Sequence, residues 1–335
     1  MYNRNDTSVN AEKRFAGREC DMKKYIIPMG IAAVFLALTS LVFYLYPNKM
    51  HSPRIFGATY MTRNNPFFDV LHEAIEEVVE GNGDILISRD PSQDQEKQNG
   101  QILEMIDEGI EILFLNPVDL EAVKPALEAC RKAGVTVIDI DTVVKDTEYV
   151  TAIIETDNYK AGVLCAQDMM ERVDSARIVI LDNPIQSSIT DRVQGFLDTI
   201  QANDNYTVVY RTVGEGEFEV SADRMSEFLE MQMPFNVVLG GNDPTALGAL
   251  AALQQFHMEE GILIYGIDGS PDFKAMLELG YVTGTSAQSP RTIGTIAAEK
   301  AYEYLNGEEI EPYISIEPYM INGENLDNYE IDVWQ

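Results

Sequence analysis

The stretch that decides the fold is IFGATYMTRNNPFFDVLHEAIEEVVEGNGDILIS, residues 55–88. A strand-like run (IFGATYM) is followed by a helix-like run (FFDVLHEAIEEVVEG) and then by a second strand-like run (DILIS). Two such strands joined by a helix are typical of the β-α-β unit, in which the strands lie parallel and the helix packs across them. The stretch therefore predicts a parallel sheet.

The same alternation continues along the chain and forms two series. Further strand-like runs of the first series are EILFLN and VTVIDID, and the helix-like runs between the strands include DLEAVKPALEACRKAG, residues 119–134. A second series begins after AIIETDN. The second series has the strand-like runs ARIVILD, YTVVYRTV, FNVVLGG, GILIYGID and YVTGTSA. We predict an α/β protein with two doubly wound, Rossmann-like parallel-sheet units in tandem.

In sheets of this kind, ligands bind outside the carboxyl ends of the strands, so we expect function where strands end. The side chains at those positions are aromatic, carboxylate, carboxamide, hydroxyl or guanidinium groups: Asn65, Phe67, Phe68, Asp141, Thr142, Arg192, Asn242, Asp243, Asp268 and Gln288. Sugar hydroxyls both donate and accept hydrogen bonds, and the C–H face of a sugar ring is apolar. This mixture therefore favours a sugar site.

Each of these residues also has a simpler interpretation. Asn65 suits a helix N-cap, Pro66 suits the first helical position, and Asp69 suits the positive end of the helix dipole. Capping does not account for Phe67 and Phe68, and these rings belong either to the core or to a platform under a ligand.

The net charge is −31 over 335 residues, and residues 1–24 are slightly basic, so the acidic charge lies in the rest of the chain. A body this acidic repels phosphate backbones, so we predict no nucleic-acid partner.

Residues 25–46, YIIPMGIAAVFLALTSLVFYLY, contain no charged side chain and are preceded by Lys23 and Lys24. A helix of this length crosses a bilayer, and flanking positive charge keeps its N-terminal side in the cytoplasm. We predict a cytoplasmic tail at 1–24, a single-pass membrane anchor at 25–46 and a linker at 47–54. A cleavable signal peptide is the alternative, but LYPNKMHSPR has no small-x-small cleavage site.

The sequence contains neither a phosphate-binding GxxxxGK[ST] motif nor a GxSxG motif, and its histidines have no metal-ligand spacing. We predict no enzyme activity, no cofactor and no metal. Acid–base chemistry by Asp141 and Asp268 is the enzymatic alternative. Cys130 and Cys165 either pair or remain two small buried thiols.

From about residue 55 to 317 the chain resembles the ribose-binding branch of the type I periplasmic binding proteins, whose fold is shared with the lactose-repressor effector domain. The motifs that carry the resemblance are NNPFF, EGIEILFLNPVD, VIDID, DRVQGF, GGNDPTALGALAAL, YGIDGSPD and SAQSPRTIG, in this order.

The resemblance implies sugar contacts at Asn65, Phe67, Phe68, Asp141, Arg192, Asn242, Asp268 and Gln288. It also implies a first lobe of residues 55–155 plus 289–317, a second lobe of residues 156–288, a three-strand hinge and a C-terminal tail at 318–335. Two positions depart from the family pattern. Thr142 stands where ribose binders typically have arginine, and Ile267 stands where an aromatic residue is common. We therefore expect a pentose or hexose ligand that need not be ribose.

These features predict a membrane-anchored, extracytoplasmic receptor that captures a monosaccharide by lobe closure and delivers it to an ABC permease. The alternative is a sensing subunit that signals to a membrane kinase or chemoreceptor.

Overall fold

The computed structural model describes residues 34–38 and 52–334. The chain divides into two compact units, Met1–Ser52 and Pro53–Gln335. In the first unit, residues 34–38 are helical and exposed. The predicted cytoplasmic tail and the rest of the predicted anchor lie outside the described residues. In the ranges 34–38 and 52–334, the structure contains no helix with both the length and the apolar character that a membrane span requires.

The second unit consists of two lobes, each built on a six-stranded sheet. In the first lobe all neighbouring strands are parallel, in the spatial order β2-β1-β3-β4-β5-β11. These strands are β1 (Ile55–Thr59), β2 (Ile85–Arg89), β3 (Ile112–Leu115), β4 (Thr136–Ile140), β5 (Ala152–Thr156) and β11 (Tyr313–Ile316). Its helices are α1 (Pro66–Gly81), α2 (Gln95–Asp107), α3 (Lys124–Ala133) and α9 (Pro290–Leu305).

The second lobe has the strand order β7-β6-β8-β9-β10-β12, and only β12 is antiparallel to its neighbour within residues 52–334. Its strands are β6 (Ala176–Asp182), β7 (Tyr206–Val213), β8 (Val237–Gly240), β9 (Leu263–Asp268), β10 (Gly284–Ala287) and β12 (Tyr319–Asn322). Its helices are α4 (Asn158–Arg172), α5 (Ser187–Ile200), α6 (Phe218–Glu230), α7 (Asp243–Gln255) and α8 (Pro271–Glu278).

The chain passes between the lobes three times: from β5 to α4, from β10 to α9, and from β11 to β12. The prediction of two parallel-sheet lobes is therefore confirmed. Residues 318–335, predicted from the sequence as a separate tail, contain β12, which completes the second sheet as an edge strand.

The central strands are buried on both faces, and every residue of Ile112–Leu115 is inaccessible to solvent. Helices on both sides of the sheet produce this burial, which explains why these strands are continuous apolar runs. Cys130 and Cys165 are also buried, and both are free thiols.

The helix predicted over residues 119–134 begins later, at Lys124. Asp119 starts a turn instead, because its Oδ1 accepts hydrogen bonds from the backbone N–H groups of Glu121 and Ala122. Pro125 then lies in the first turn of α3, the one place in a helix where its missing N–H is harmless.

Candidate ligand-binding site

A cavity lies between the two lobes, at the carboxyl ends of their strands. Eight of the nine residues predicted to bind ligand line it: Asn65, Phe67, Phe68, Asp141, Arg192, Asn242, Asp268 and Gln288. The first four belong to the first lobe and the other four to the second. Met61, Gln186, Ser188 and Ile189 also line the cavity, and they were not among the residues predicted from the sequence.

Two perpendicular phenylalanine rings form the apolar wall of the cavity. β1 ends at Thr59 and α1 begins at Pro66, where the side chain of Asn65 caps the helix by accepting a hydrogen bond from the N–H of Phe67 (3.0 Å). The rings of Phe67 and Phe68 meet edge to face at 5.3 Å. Tyr60 supports Phe68 from behind in a stacked contact at 5.8 Å. The platform is therefore fixed by packing before any ligand arrives.

Asp141 provides the carboxylate of the first lobe. It follows β4 with φ of 65°, a left-handed backbone conformation that aspartate tolerates better than most residues. Its Oδ2 accepts hydrogen bonds from Asn116 Nδ2 (3.0 Å) and from the Thr142 hydroxyl (3.1 Å). Burial raises the pKa of Asp141, while Arg192 acts in the opposite direction.

Asp268 provides the carboxylate of the second lobe. Its Oδ1 accepts a hydrogen bond from Gln288 Nε2 (2.7 Å), and Asp243 lies behind it, accepting from Ser270 N (2.7 Å). Burial raises the pKa values of both aspartates, and their mutual repulsion raises that of Asp268 further. Within the described part of the chain, Gln288 Oε1 is buried without a hydrogen-bond partner, so it is available to accept from a ligand.

Arg192, on α5, is the positive charge of the site and is 3% exposed. Its Nε donates to Asn158 Oδ1 (2.8 Å), one terminal nitrogen donates to the Gly241 carbonyl (2.9 Å), and that nitrogen lies 3.8 Å from Asp268 Oδ1. One guanidinium thus faces Asp141 and Asp268, with Asp243 behind them, so the site carries net negative charge when these carboxyls are ionised.

Thr142 does not line the cavity, although its position after β4 predicted a place in the site. Its hydroxyl lies 2.8 Å from that of Ser188, in the opposite lobe. Close by, Val143 N donates to Ser187 Oγ (2.7 Å), and Leu120 N donates to the Ile185 carbonyl (3.2 Å). These bonds all join the two lobes, so the cleft is closed in this structure.

Asn242 caps α7 and holds a neighbouring loop. Its Oδ1 accepts from Thr245 N (2.9 Å), and its Nδ2 donates to the Gly216 carbonyl (3.0 Å). The Asn242 amide thus fixes one edge of the cavity through bonds within the second lobe.

A hydrogen-bond chain connects the hinge to the site. Tyr313 on β11 donates to Glu155 Oε1 (2.8 Å), and Asn158 Nδ2 donates to Glu155 Oε2 (2.9 Å). Asn158 in turn accepts from Arg192. Burial raises the pKa of Glu155 from 4.5 to about 7.

This raised pKa predicts a pH dependence of stability. Below its folded pKa, Glu155 retains a proton that the unfolded chain has already lost, so its stabilising contribution is complete below about pH 4.3 and is lost as the pH rises through about 7. The free energy of unfolding of wild type relative to Glu155→Gln should therefore fall by up to about 3 kcal/mol between about pH 4 and about pH 8. Thermal unfolding of both chains across this range measures it, and parallel pH profiles would contradict the assignment.

Comparison with known proteins identifies the family. Residues 56–309 match the family model described as a periplasmic binding protein domain. The chain is 30% identical over 261 residues to the ribose import binding protein of Bacillus subtilis, covering 77% of this chain and 84% of that protein. It is 27% identical to the Escherichia coli protein described in the same way, over 75% and 84% of the two chains. The chain therefore belongs to the periplasmic binding protein family, in its ribose-binding branch, as the sequence motifs predicted.

Solved structures agree with this assignment. The binding component of an arabinose ABC transporter from Shewanella sp. ANA-3, solved with L-arabinofuranose, has a TM-score of 0.76 and 25% identity, over 82% of this chain and 93% of that one. A solute-binding protein from Bacillus halodurans, solved with myo-inositol, shares the fold with a TM-score of 0.77 at 20% identity, over 84% and 99% of the two chains. The family consists of binding proteins, and the prediction that the chain is not an enzyme is confirmed on that ground.

Proposed function

We propose that residues 53–334 capture a neutral monosaccharide outside the cytoplasm and deliver it to an ABC permease. The observation that carries this proposal is the cavity between the lobes, which combines two phenylalanine rings with carboxylates, a guanidinium and a carboxamide contributed by opposite lobes.

Each group has a proposed role. Phe67 and Phe68 contact the C–H face of the ring, and Arg192 donates to ring or hydroxyl oxygens. Carboxylate and amide oxygens accept from hydroxyls, at Asp141, Asp268 and Gln288. Asn65 and Asn242 contribute chiefly as helix caps that hold the walls in place. Thr142 acts indirectly, because it orients Asp141 and bonds to Ser188 across the cleft.

Capture proceeds by closure of the two lobes. A ligand that touches both lobes stabilises the closed form and leaves the open form unaffected, so it shifts the population toward closure. The bonds between lobes at Thr142 and Val143 are weak singly, and the ligand supplies the remaining stabilisation of the closed state.

The hydrogen-bonding groups of the site restrict the ligand. Asp141, Asp268 and Gln288 offer acceptor oxygens, and the single guanidinium, Arg192, already donates to Asn158 and to the Gly241 carbonyl. An anionic group would bring only further acceptor oxygens to this lining, whereas a hydroxyl can donate to it. We therefore expect neutral sugars or polyols to bind, whereas sugar acids and sugar phosphates should not.

A thermal-shift screen of the full chain in detergent tests this function. The panel holds neutral pentoses, hexoses, deoxy-sugars and polyols, with glucuronate and ribose 5-phosphate as charged counterparts. A neutral ligand at about 100 times its dissociation constant should stabilise the native state by about 2.7 kcal/mol. Phe68→Ala is the matched variant, which should unfold cooperatively and lose most of the shift. Stabilisation by the charged sugars alone, or by no sugar at all, would contradict the proposal.

We further propose that residues 25–46 anchor the receptor in the membrane, with residues 1–24 in the cytoplasm. The support is the run of 22 uncharged residues directly after Lys23 and Lys24. Intact mass of the protein extracted from membranes should include residues 1–46, and a mature chain that starts near residue 47 would refute the anchor.

The description of relatives as import binding proteins supports delivery to a permease over a sensing role.

A further inference from the structure

The segment after β12, residues 323–334, is fastened to the second lobe, and we call it the C-terminal strap. Leu326 is buried in the apolar core of the second lobe, and the ring of Tyr329 stacks on that of Tyr319 at 5.5 Å. These contacts hold the first half of the strap against the sheet edge formed by β12.

The second half of the strap is held by a buried lysine. Lys274, on α8, is 0% exposed, and its ammonium group donates to the carbonyls of Glu330 (2.7 Å) and Val333 (2.6 Å). A buried ammonium requires such partners, since leaving it without hydrogen bonds is costly. Lys274 therefore fixes the course of the strap up to its last residues.

At its end, the strap reaches the other lobe. Trp334 is half-buried and packs against the core of the first lobe. Its ring meets that of Phe67 edge to face at 5.7 Å and 74°. Phe67 is 2% exposed and lines the cavity, so one aromatic ring separates Trp334 from the site.

We propose that Trp334 is a positioning residue for ligand capture: the strap, locked to the second lobe by Lys274, places the indole behind Phe67 and so holds the closed cleft together. This inference rests on the proposed function. Opening of the cleft moves Phe67 with the first lobe while the strap stays with the second, so the Trp334–Phe67 contact is made on closure and broken on opening. It should act mainly on ligand release, because the contact exists only once the lobes have closed.

The first test needs no sugar. Trp334 is the only tryptophan in the sequence, so emission excited beyond the absorption of tyrosine reports on the strap alone. In the full chain, acrylamide quenching should be weak in wild type and stronger in Phe67→Ala and Lys274→Met, with a shift of emission to longer wavelength. Lys145→Met, which removes an exposed lysine paired with Glu121, should match wild type. Equal quenching in wild type, Phe67→Ala and Lys274→Met would overturn the proposal.

The second test separates positioning from structure. Dissociation of radiolabelled D-ribose, L-arabinose and D-galactose is followed in wild type, Trp334→Ala and Trp334→Phe. Loss of one aromatic pair should raise the dissociation rate constant about 3- to 10-fold in Trp334→Ala, with little change in the association rate constant. Trp334→Phe keeps an aromatic ring, so its dissociation rate constant should be close to that of wild type. Equal dissociation rates in wild type and Trp334→Ala would refute the positioning role. If none of these sugars binds wild type, that result counts against the proposed function for these sugars. The quenching comparison still decides whether the strap contacts Phe67.

Discussion

Replacing Arg192 with methionine should abolish sugar binding and destabilise the protein by about 3–5 kcal/mol. Methionine keeps most of the apolar stem of the arginine but removes the charge that faces Asp141 and Asp268. Both carboxyls are buried, burial raises the pKa of each, and Arg192 offsets part of that rise. Without the guanidinium they are left as buried acids with no positive partner. Thermal unfolding and the sugar screen on the same sample measure both effects.

Two comparisons make this prediction specific. Arg291→Met removes an exposed pair with Glu77 and should change stability by less than about 0.5 kcal/mol. The destabilisation in Arg192→Met should be larger at about pH 9 than at about pH 6, because Asp268 ionises in wild type above its pKa of about 8, whereas the buried acid of the variant has no positive partner and resists ionisation. A stable Arg192→Met variant that still binds sugar would show that Arg192 is only a structural helix residue.

The second large effect is expected at a glycine. Gly162 on α4 and Gly195 on α5 allow the two helix backbones to touch. A Cβ atom at Gly162 would lie 1.8 Å from the carbonyl oxygen of Arg192, and one at Gly195 would lie 2.0 Å from that of Tyr159. Gly162→Ala must therefore push the helices apart, and we expect a loss of at least about 3 kcal/mol. Because α5 carries Arg192, the same shift should weaken binding in any molecules that fold.

Gly100→Ala is the matched control, since Gly100 lies within α2 and a Cβ atom there meets nothing within 4 Å. Alanine favours a helix interior over glycine, so this variant should gain about 0.5–1 kcal/mol. Urea unfolding of both variants gives the comparison. Similar unfolding midpoints for Gly162→Ala and Gly100→Ala would mean that the α4–α5 contact accommodates a methyl group with little loss of stability.

The fold could be predicted because its periodic pattern is strong. Strands such as Ala176–Asp182 and Tyr206–Val213 have the bounds that their apolar runs indicate. A predicted helix boundary was wrong where a proline and a local turn competed with the apolar spacing. The apolar spacing of residues 119–134 is helical, but Pro125 and the turn at Asp119 set the start of α3 at Lys124.

The site could be predicted where residue type and position agreed. Helix capping does not require two aromatic rings directly after a strand, and a buried strand does not require an aspartate at its end. These residues do converge on one cavity. Gln186 and Ser188 were missed because a polar residue at the start of a helix is ordinarily a cap. Thr142 was predicted to line the cavity, but its hydroxyl contacts that of Ser188 in the other lobe. Sequence does not indicate this contact, because it forms only when the lobes close.

The C-terminal strap shows the same limit. Its residues have no helical or strand period, so their sequence does not indicate where the chain goes after β12. The contact between Trp334 and Phe67 joins positions at opposite ends of the second unit, and only the folded chain brings them together.

The threefold passage of the chain between lobes also sets the order of events during synthesis. The first sheet lacks its edge strand until Tyr313–Ile316 has been made, and α1 lacks its partner until α9 has been made. A ribosome that stops after residue 288 would release a first lobe with an open sheet edge and an uncovered helix face. Neither lobe can be finished much before the other, so a nascent chain should become resistant to protease late and nearly all at once.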